Sequence, residues 1–243
     1  MTRFRAMMMG WRAAACGLGM LMLSGCTTPE PRPSVRPPGG TTGPSEWAAQ
    51  TLPGKRETLY RPADRQGRPC IQAQAERSAS LWRRRVDAAQ AGAQRLRFSW
   101  WAADLDDRAS VTDPDHDDAV ARVVLGFEGD LSRLSARNRA LFELVHTLTG
   151  EAPPYATLMY VWDARAPVGT VIVSGRTDRI RKIVVESGRR PLNTWRHHER
   201  DVRADFELAF GEPSGSITTL AYMTDADNMQ GHAEACYGPV ELF

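Results

Sequence analysis

Gln94 to Ala102 reads QRLRFSWWA, and the spacing of its apolar residues decides the fold. Leu96, Phe98 and Trp100 alternate with Arg97, Ser99 and Trp101. That is the period of a strand with one buried face, not the period of a helix. Outward from it lie DAVARVVLGF (118–127), TLMYVW (157–162), GTVIVS (169–174), RIRKIVVES (179–187) and GSITTLAYMT (215–224), with a last run from Ala233 to Tyr237. Each is rich in β-branched or aromatic residues and bounded by Gly, Pro, Asp or Ser, the signature of short strands joined by turns. The expected fold is mainly β, a sandwich or jelly roll. One amphipathic helix interrupts the strands between Ser135 and Gly150: Leu141, Leu144, Val145 and Leu148 repeat at helical spacing, Ser135 stands as N-cap and Gly150 as the stop. A second, shorter helix is expected around Glu199 to Phe210, where Val202, Phe206, Ala209 and Phe210 share a face.

The N-terminal region carries an address. Arg3, Arg5 and Arg12 precede an apolar run from Ala13 to Leu23, and no acidic residue occurs before Cys26, which reads as a secretory signal peptide over 1–25. Leu23-Ser24-Gly25-Cys26 resembles a bacterial lipobox, so Cys26 is expected to be acylated as the first mature residue. Thr27 is not the aspartate that resembles an inner-membrane retention signal, so the expected location is the outer membrane, with the domain in the periplasm. Residues 26–45 are a proline- and glycine-rich tether, semi-extended at ~3 Å per residue, and 46–243 form a single domain. Without the signal's three arginines, 31 − 3 = 28 basic residues face 29 acidic ones, a balance that gives no support for a nucleic-acid partner, which would want a concentrated basic face. WRRRVD (82–87) is the tight basic run, read as a solvated strand. Of four cysteines, Cys16 leaves with the signal and Cys26 takes lipid; Cys70 and Cys236 are free to form a disulfide in an oxidising compartment or to stay as buried thiols.

No standard catalytic motif is present: G-x-S-x-G, Walker A and H-E-x-x-H are all missing, and HHER (197–200) lacks the second ligand of a zinc helix. No catalytic residue, metal centre or obligatory cofactor is expected. TDPDHDDAVARV (112–123) offers oxygen ligands at Asp113, Asp115, Asp117 and Asp118 that suit calcium or a solvated loop. Asp118 and Arg122, four residues apart, would share one face of an extended strand and form an ion pair. DADNMQG (225–231) opens like a calcium loop but has Gln230 where glycine is needed. It reads instead as a turn carrying Asp225, Asp227 and Asn228 at one end of the sandwich. Among the aromatic residues Trp82, Trp100, Trp101, Tyr160, Trp162 and Trp195, Trp100 belongs to the core with Phe98, whereas Trp101 on the opposite face is the expected sugar platform. Trp101, Asp117, Asp118, Arg122, Trp162, Asp225, Asp227 and Asn228 are therefore the expected ligand-binding set.

LRFSWWAADL, DDAVARVVLGF, YATLMYVWDARAPVGTVI, RIRKIVVESG, LNTWRHHERDVRADFELAFGE and AYMTDADNMQGHAEACYG follow in this order, and the chain from about Pro69 onward resembles the bacterial envelope family known as domain of unknown function 3047. The resemblance implies a galactose-binding-type jelly roll and no established reaction. Trp100, Asp117, Asp118, Arg122, Tyr160, Trp162, Trp195, Asp201, Asp225, Asp227 and Asn228 match its motif, and Ala119 departs from it, since the family often has an aromatic residue there. The expected function is a lipid-anchored binding module for carbohydrate or another envelope component, with no nucleic-acid partner. The alternatives are a carboxylate-dependent hydrolase and a structural or protein-partner role at the envelope.

Overall fold

A computed structural model describes residues 46–243; the signal peptide, Cys26 and the tether lie outside the described residues. The chain is mainly β, with thirteen strands in two sheets that face each other as a sandwich. The seven-stranded sheet contains β1 (Ala48–Thr51), β4 (Ala79–Arg85), β6 (Ala121–Phe127), β7 (Ala156–Asp163), β8 (Val171–Val173), β9 (Ile180–Ser187) and β11 (Ile217–Asp225). Its order is β1-β4-β11-β6-β7-β9-β8, antiparallel throughout except for the parallel pair β7–β9. The six-stranded sheet contains β2 (Leu59–Arg65), β3 (Arg68–Glu76), β5 (Arg95–Ala102), β10 (Arg196–Asp201), β12 (His232–Tyr237) and β13 (Glu241–Leu242). Its order is β10-β5-β12-β3-β2, and β13 pairs with β5.

The alternation in QRLRFSWWA sets the core. Leu96, Phe98 and Trp100 point between the sheets and are essentially inaccessible. There they meet Tyr160 and Trp162 of β7, with ring centroids 5.8 Å apart for Phe98–Tyr160 and 6.2 Å for Trp100–Trp162. A second aromatic column runs Trp47–Tyr222–Tyr237, stacked at 4.7 and 4.5 Å, and ties the two sheets together. The Tyr237 hydroxyl crosses from the smaller sheet to the larger, accepting from the Arg122 backbone N–H (3.2 Å) and donating to the Met223 carbonyl (2.6 Å).

Helix α1 (Ala136–Thr149) has Ser135 as N-cap, its side chain accepting from the Asn138 N–H, and the left-handed Gly150 (φ 73°) as C-cap, a conformation that favours glycine. It lies between β6 and β7. The second helix, α2 (Val202–Phe210), begins later than the expected Glu199, because Arg196–Asp201 pairs with β5 along its whole length and Asp201 caps the helix by accepting from the Ala204 N–H. Pro62 in β2 and the alanine- and glutamine-rich β3 give weak strand signals; β2 tolerates its proline because it is an edge strand.

The strands define two ends. At one, which we call the loop end, β5, β7, β9 and β11 finish and β6 and β12 begin. The long connection 103–120 meets 226–231 there, the two linked by the Asn228 and Met229 N–H bonds to Asp118. At the other, the helix end, α2 crosses the base of the sandwich, with Phe206 packed on Phe127 (4.7 Å), and α1 joins β6 to β7.

Candidate functional site

Connection 103–120 does not extend away from the sandwich. It folds over the outward face of the larger sheet, and beneath it lies a charged network whose members come from distant parts of the chain. Arg122 on β6 donates from Nε to Asp225 Oδ1 (3.1 Å) and from Nη2 to Asp225 Oδ2 (2.8 Å). The same Nη2 reaches the Asp117 carbonyl (2.9 Å) and Oδ1 (3.1 Å). Lys182 on β9 binds the other Asp117 oxygen, and Lys55, from the β1–β2 connection, binds Asp227. The Ala119 N–H donates to Asp225 Oδ1 (2.9 Å), while Asn228 N–H (3.1 Å) and Met229 N–H (2.7 Å) donate to Asp118. Four carboxylates therefore meet three cations, and backbone N–H groups stabilise the charge that no cation covers.

Burial sets the electrostatics. Desolvation raises the Asp225 carboxyl to about 7, with Arg122 opposing the shift and Asp118 and Asp117 adding to it. Burial also raises Asp118, against the Met229 and Asn228 N–H groups. Lys182 is lowered by burial and by the nearby Arg122 charge. Burial works against the Arg122 charge too, but the Asp225 and Asp117 carboxylates outweigh it and hold the guanidinium above its usual range.

Beside the network, a cavity of about 20 Å³ opens at the loop end, with Asp118, Asp225, Trp162, Leu105, Met229 and His232 among its lining residues. That volume admits one water-sized group; a sugar ring would rest on the rim with a single substituent inside. Carboxylate oxygens of Asp118, Asp225 and Asp227 lie within 4.8 Å of one another, a spacing that an ion or a hydroxyl would bridge.

The structure brings together six of the eight expected ligand-binding residues: Asp117, Asp118, Arg122, Asp225, Asp227 and Asn228. Trp162 touches the cavity but is otherwise core, its Nε1 donating to the Gly188 carbonyl (3.1 Å). Trp101 requires a correction. It is 4% exposed, packed with Cys70 and Cys236, with the Arg65 guanidinium 4.3 Å above its ring, so it offers no free platform. The outward face of the smaller sheet is covered locally by a long side chain, which alternation alone does not reveal. Cys70 and Cys236 are bonded, joining β3 and β12. The Asp118–Arg122 pair is likewise corrected. β6 begins at Ala121, so Asp118 lies in the irregular end of connection 103–120, where strand alternation does not apply, and Arg122 pairs with Asp117 and Asp225 instead.

Sequence reasoning missed Lys55 and Lys182. A signal was available: these are the only two lysines in the chain, against 29 arginines, and both bind this network. His198 faces the core. It stacks on Phe98 (5.1 Å), and burial, with Arg196 and Arg200, lowers its imidazole to about 4.

Fold and site define a class: a two-sheet β-sandwich domain with a charge-locked, narrow polar recess at its loop end. The family model for Protein of unknown function (DUF3047) matches residues 45–241, and the chain belongs to that family. No curated protein matches the chain. Among the described residues, no helix is long and apolar enough to cross a membrane.

Proposed function

We propose that this chain is an outer-membrane lipoprotein, anchored through Cys26, whose periplasmic sandwich is a non-catalytic binding module for a carbohydrate or another hydroxyl-rich envelope component. The observation that carries the reading is the loop-end recess. Carboxylates of Asp118 and Asp225 stand beside apolar Leu105, Trp162 and Met229, and polar groups fixed around an apolar floor are how small-molecule sites orient a ligand. The ion pairs and backbone N–H bonds pre-organise those carboxylates, so little ordering cost falls on binding.

Recognition fits this geometry better than hydrolysis. Glycosidase carboxyl pairs stand roughly 5–10 Å apart with room for water or substrate between them. Here the carboxylates of Asp118, Asp225 and Asp227 are held by Arg122, Lys55 or backbone N–H groups, and the recess beside them admits one water-sized group. Calcium remains a ligand to be tested at the same oxygens. The signal peptide, lipobox and tether support the anchor, and the Cys70–Cys236 bond accords with an oxidising compartment.

The test is titration calorimetry of the protein with peptidoglycan fragments, envelope oligosaccharides and calcium, together with mass analysis of the N-terminal peptide. Saturable heat with a glycan and an acylated Cys26 are expected. Glycan turnover, or binding to none of these, would contradict the module reading, and an unmodified Cys26 would contradict the anchor.

A further inference from the structure

Most of the exposed large apolar side chains belong to elements at the helix end, while Leu59 and Val168 are exposed at the other. Leu131, Leu144, Leu148, Leu208 and Phe243 are all about half or more exposed: Leu131 just before α1, Leu144 and Leu148 on it, Leu208 on α2, and Phe243 paired with Arg95 at the base of β5. Leu144 and Leu148 stand one turn apart and form a stripe. The inner side of α1 is occupied separately. Asn138 binds Asp178 (2.5 Å) and Thr177 (2.9 Å), and Leu141, Phe142 and Val145 are half-buried. The leucine stripe is therefore not the face that holds the helix to the domain.

Cations accompany the stripe. Arg137, two turns before Leu144 on the same side of α1, donates to the Arg176 carbonyl (3.4 Å), which puts those two side by side, and neither forms an ion pair among the described residues. The chain also enters the domain here. Ala48 of β1 pairs with Arg83, and Arg83 and Arg85 both bind Glu151 (2.7 Å each), just beyond α1. β1, the first described strand, thus starts next to the C-terminus of α1, at the end opposite the recess.

We propose that the Leu144–Leu148 edge of α1 is a bilayer-contacting surface. The leucines enter the interface, and Arg137 and Arg176 meet phospholipid phosphates, in the manner of an interfacial amphipathic helix. The inference rests on the lipid-anchor reading, which supplies what the short stripe lacks. A tethered domain meets the membrane at high effective concentration, so a weak surface suffices. The length of the tether sets its maximum reach, not the resting distance of the domain. In this orientation the recess points away from the membrane, toward the periplasm.

The test uses the full chain in vesicles of phosphatidylethanolamine and phosphatidylglycerol that carry a headgroup nitroxide. An environment-sensitive fluorophore is attached through Leu148→Cys or, as a control at the loop end, Val168→Cys. Loss of fluorescence at 148 but not at 168, relieved by Leu144→Asp, is the expected result. Equal quenching at both sites, no quenching at 148 in acylated protein, or disulfide-linked dimers of the Leu148→Cys variant would overturn the proposal, the last in favour of a second copy as occupant. The mass of the N-terminal peptide separates the two readings. If Cys26 carries no lipid the anchor fails by itself, and quenching at 148 on adding vesicles to that protein still decides the role of α1.

Discussion

Arg122 of β6 and Asp225 of β11 meet through two hydrogen bonds, at 3.1 and 2.8 Å, across 103 residues of sequence. Both side chains are almost wholly shielded from solvent. Removing one partner strands a buried charge, so Arg122→Met is expected to cost about 3–5 kcal/mol. The double variant Arg122→Met/Asp225→Met, which removes both charges, is expected to cost less than the single one. Urea unfolding of the three proteins measures this, and a single-variant loss below about 1 kcal/mol would show that the pair is solvated.

Two buried groups bias stability with pH in opposite senses. Asp225, raised by burial to about 7, binds its proton more tightly in the folded state. Its contribution is full below the unfolded carboxylate value and is lost as pH rises through about 7. His198, lowered by burial to about 4, contributes stability above the usual imidazole value that is lost as pH falls toward 4. Between pH 4 and 6.5 the two slopes oppose, each on the order of 1.4 kcal/mol per unit of displacement. Melting temperatures across pH 4–8 are expected to fall on acidification more steeply in Asp225→Asn than in the parent, and to rise on acidification in His198→Asn.

Trp101 separates packing from recognition. With 4% exposure between Arg65 and the disulfide, Trp101→Ala is expected to destabilise by about 3–5 kcal/mol while leaving ligand affinity unchanged under folding conditions. A large affinity loss with little change in stability would restore the platform reading.

The Cys70–Cys236 bond joins residues 166 positions apart, and a closure of this length is worth about 5 kcal/mol on the chain-entropy scale. Reduction, or Cys70→Ser with Cys236→Ser, is expected to lower the unfolding midpoint sharply. An unchanged midpoint would mean that the sheets hold the domain without the bridge.

Several features were legible because they depend on local physics. Alternation placed Phe98 and Trp100 in the core, and Ser135 and Gly150 marked the ends of α1. Asp117, Asp225, Asp227 and Asn228 could be nominated as polar side chains at strand ends and turns, and Asp118 with Arg122 as a strand pair, but their true partners could not. Asp118 pairs with Arg122 only if a strand runs through residues that are irregular in the structure, and Asp225 is distant in sequence. Lys182 lies on the outward face of β9, and nothing in RIRKIVVES shows that connection 103–120 covers it. A connection that long within a compact domain was itself a sign that it covers something. Trp101 was misjudged for the same reason, since what lies above a sheet face depends on side chains from other strands.

The central claim is that the loop-end recess binds an envelope glycan. Thermal shift of the parent protein and of Met229→Trp, which fills the recess while keeping the backbone N–H that holds Asp118, tests it most directly. With a peptidoglycan fragment or envelope oligosaccharide at 100 times its dissociation constant, the parent should gain ~2.7 kcal/mol and the filled variant nothing. No shift in the parent with any such glycan, or an equal shift in both proteins, would contradict the account.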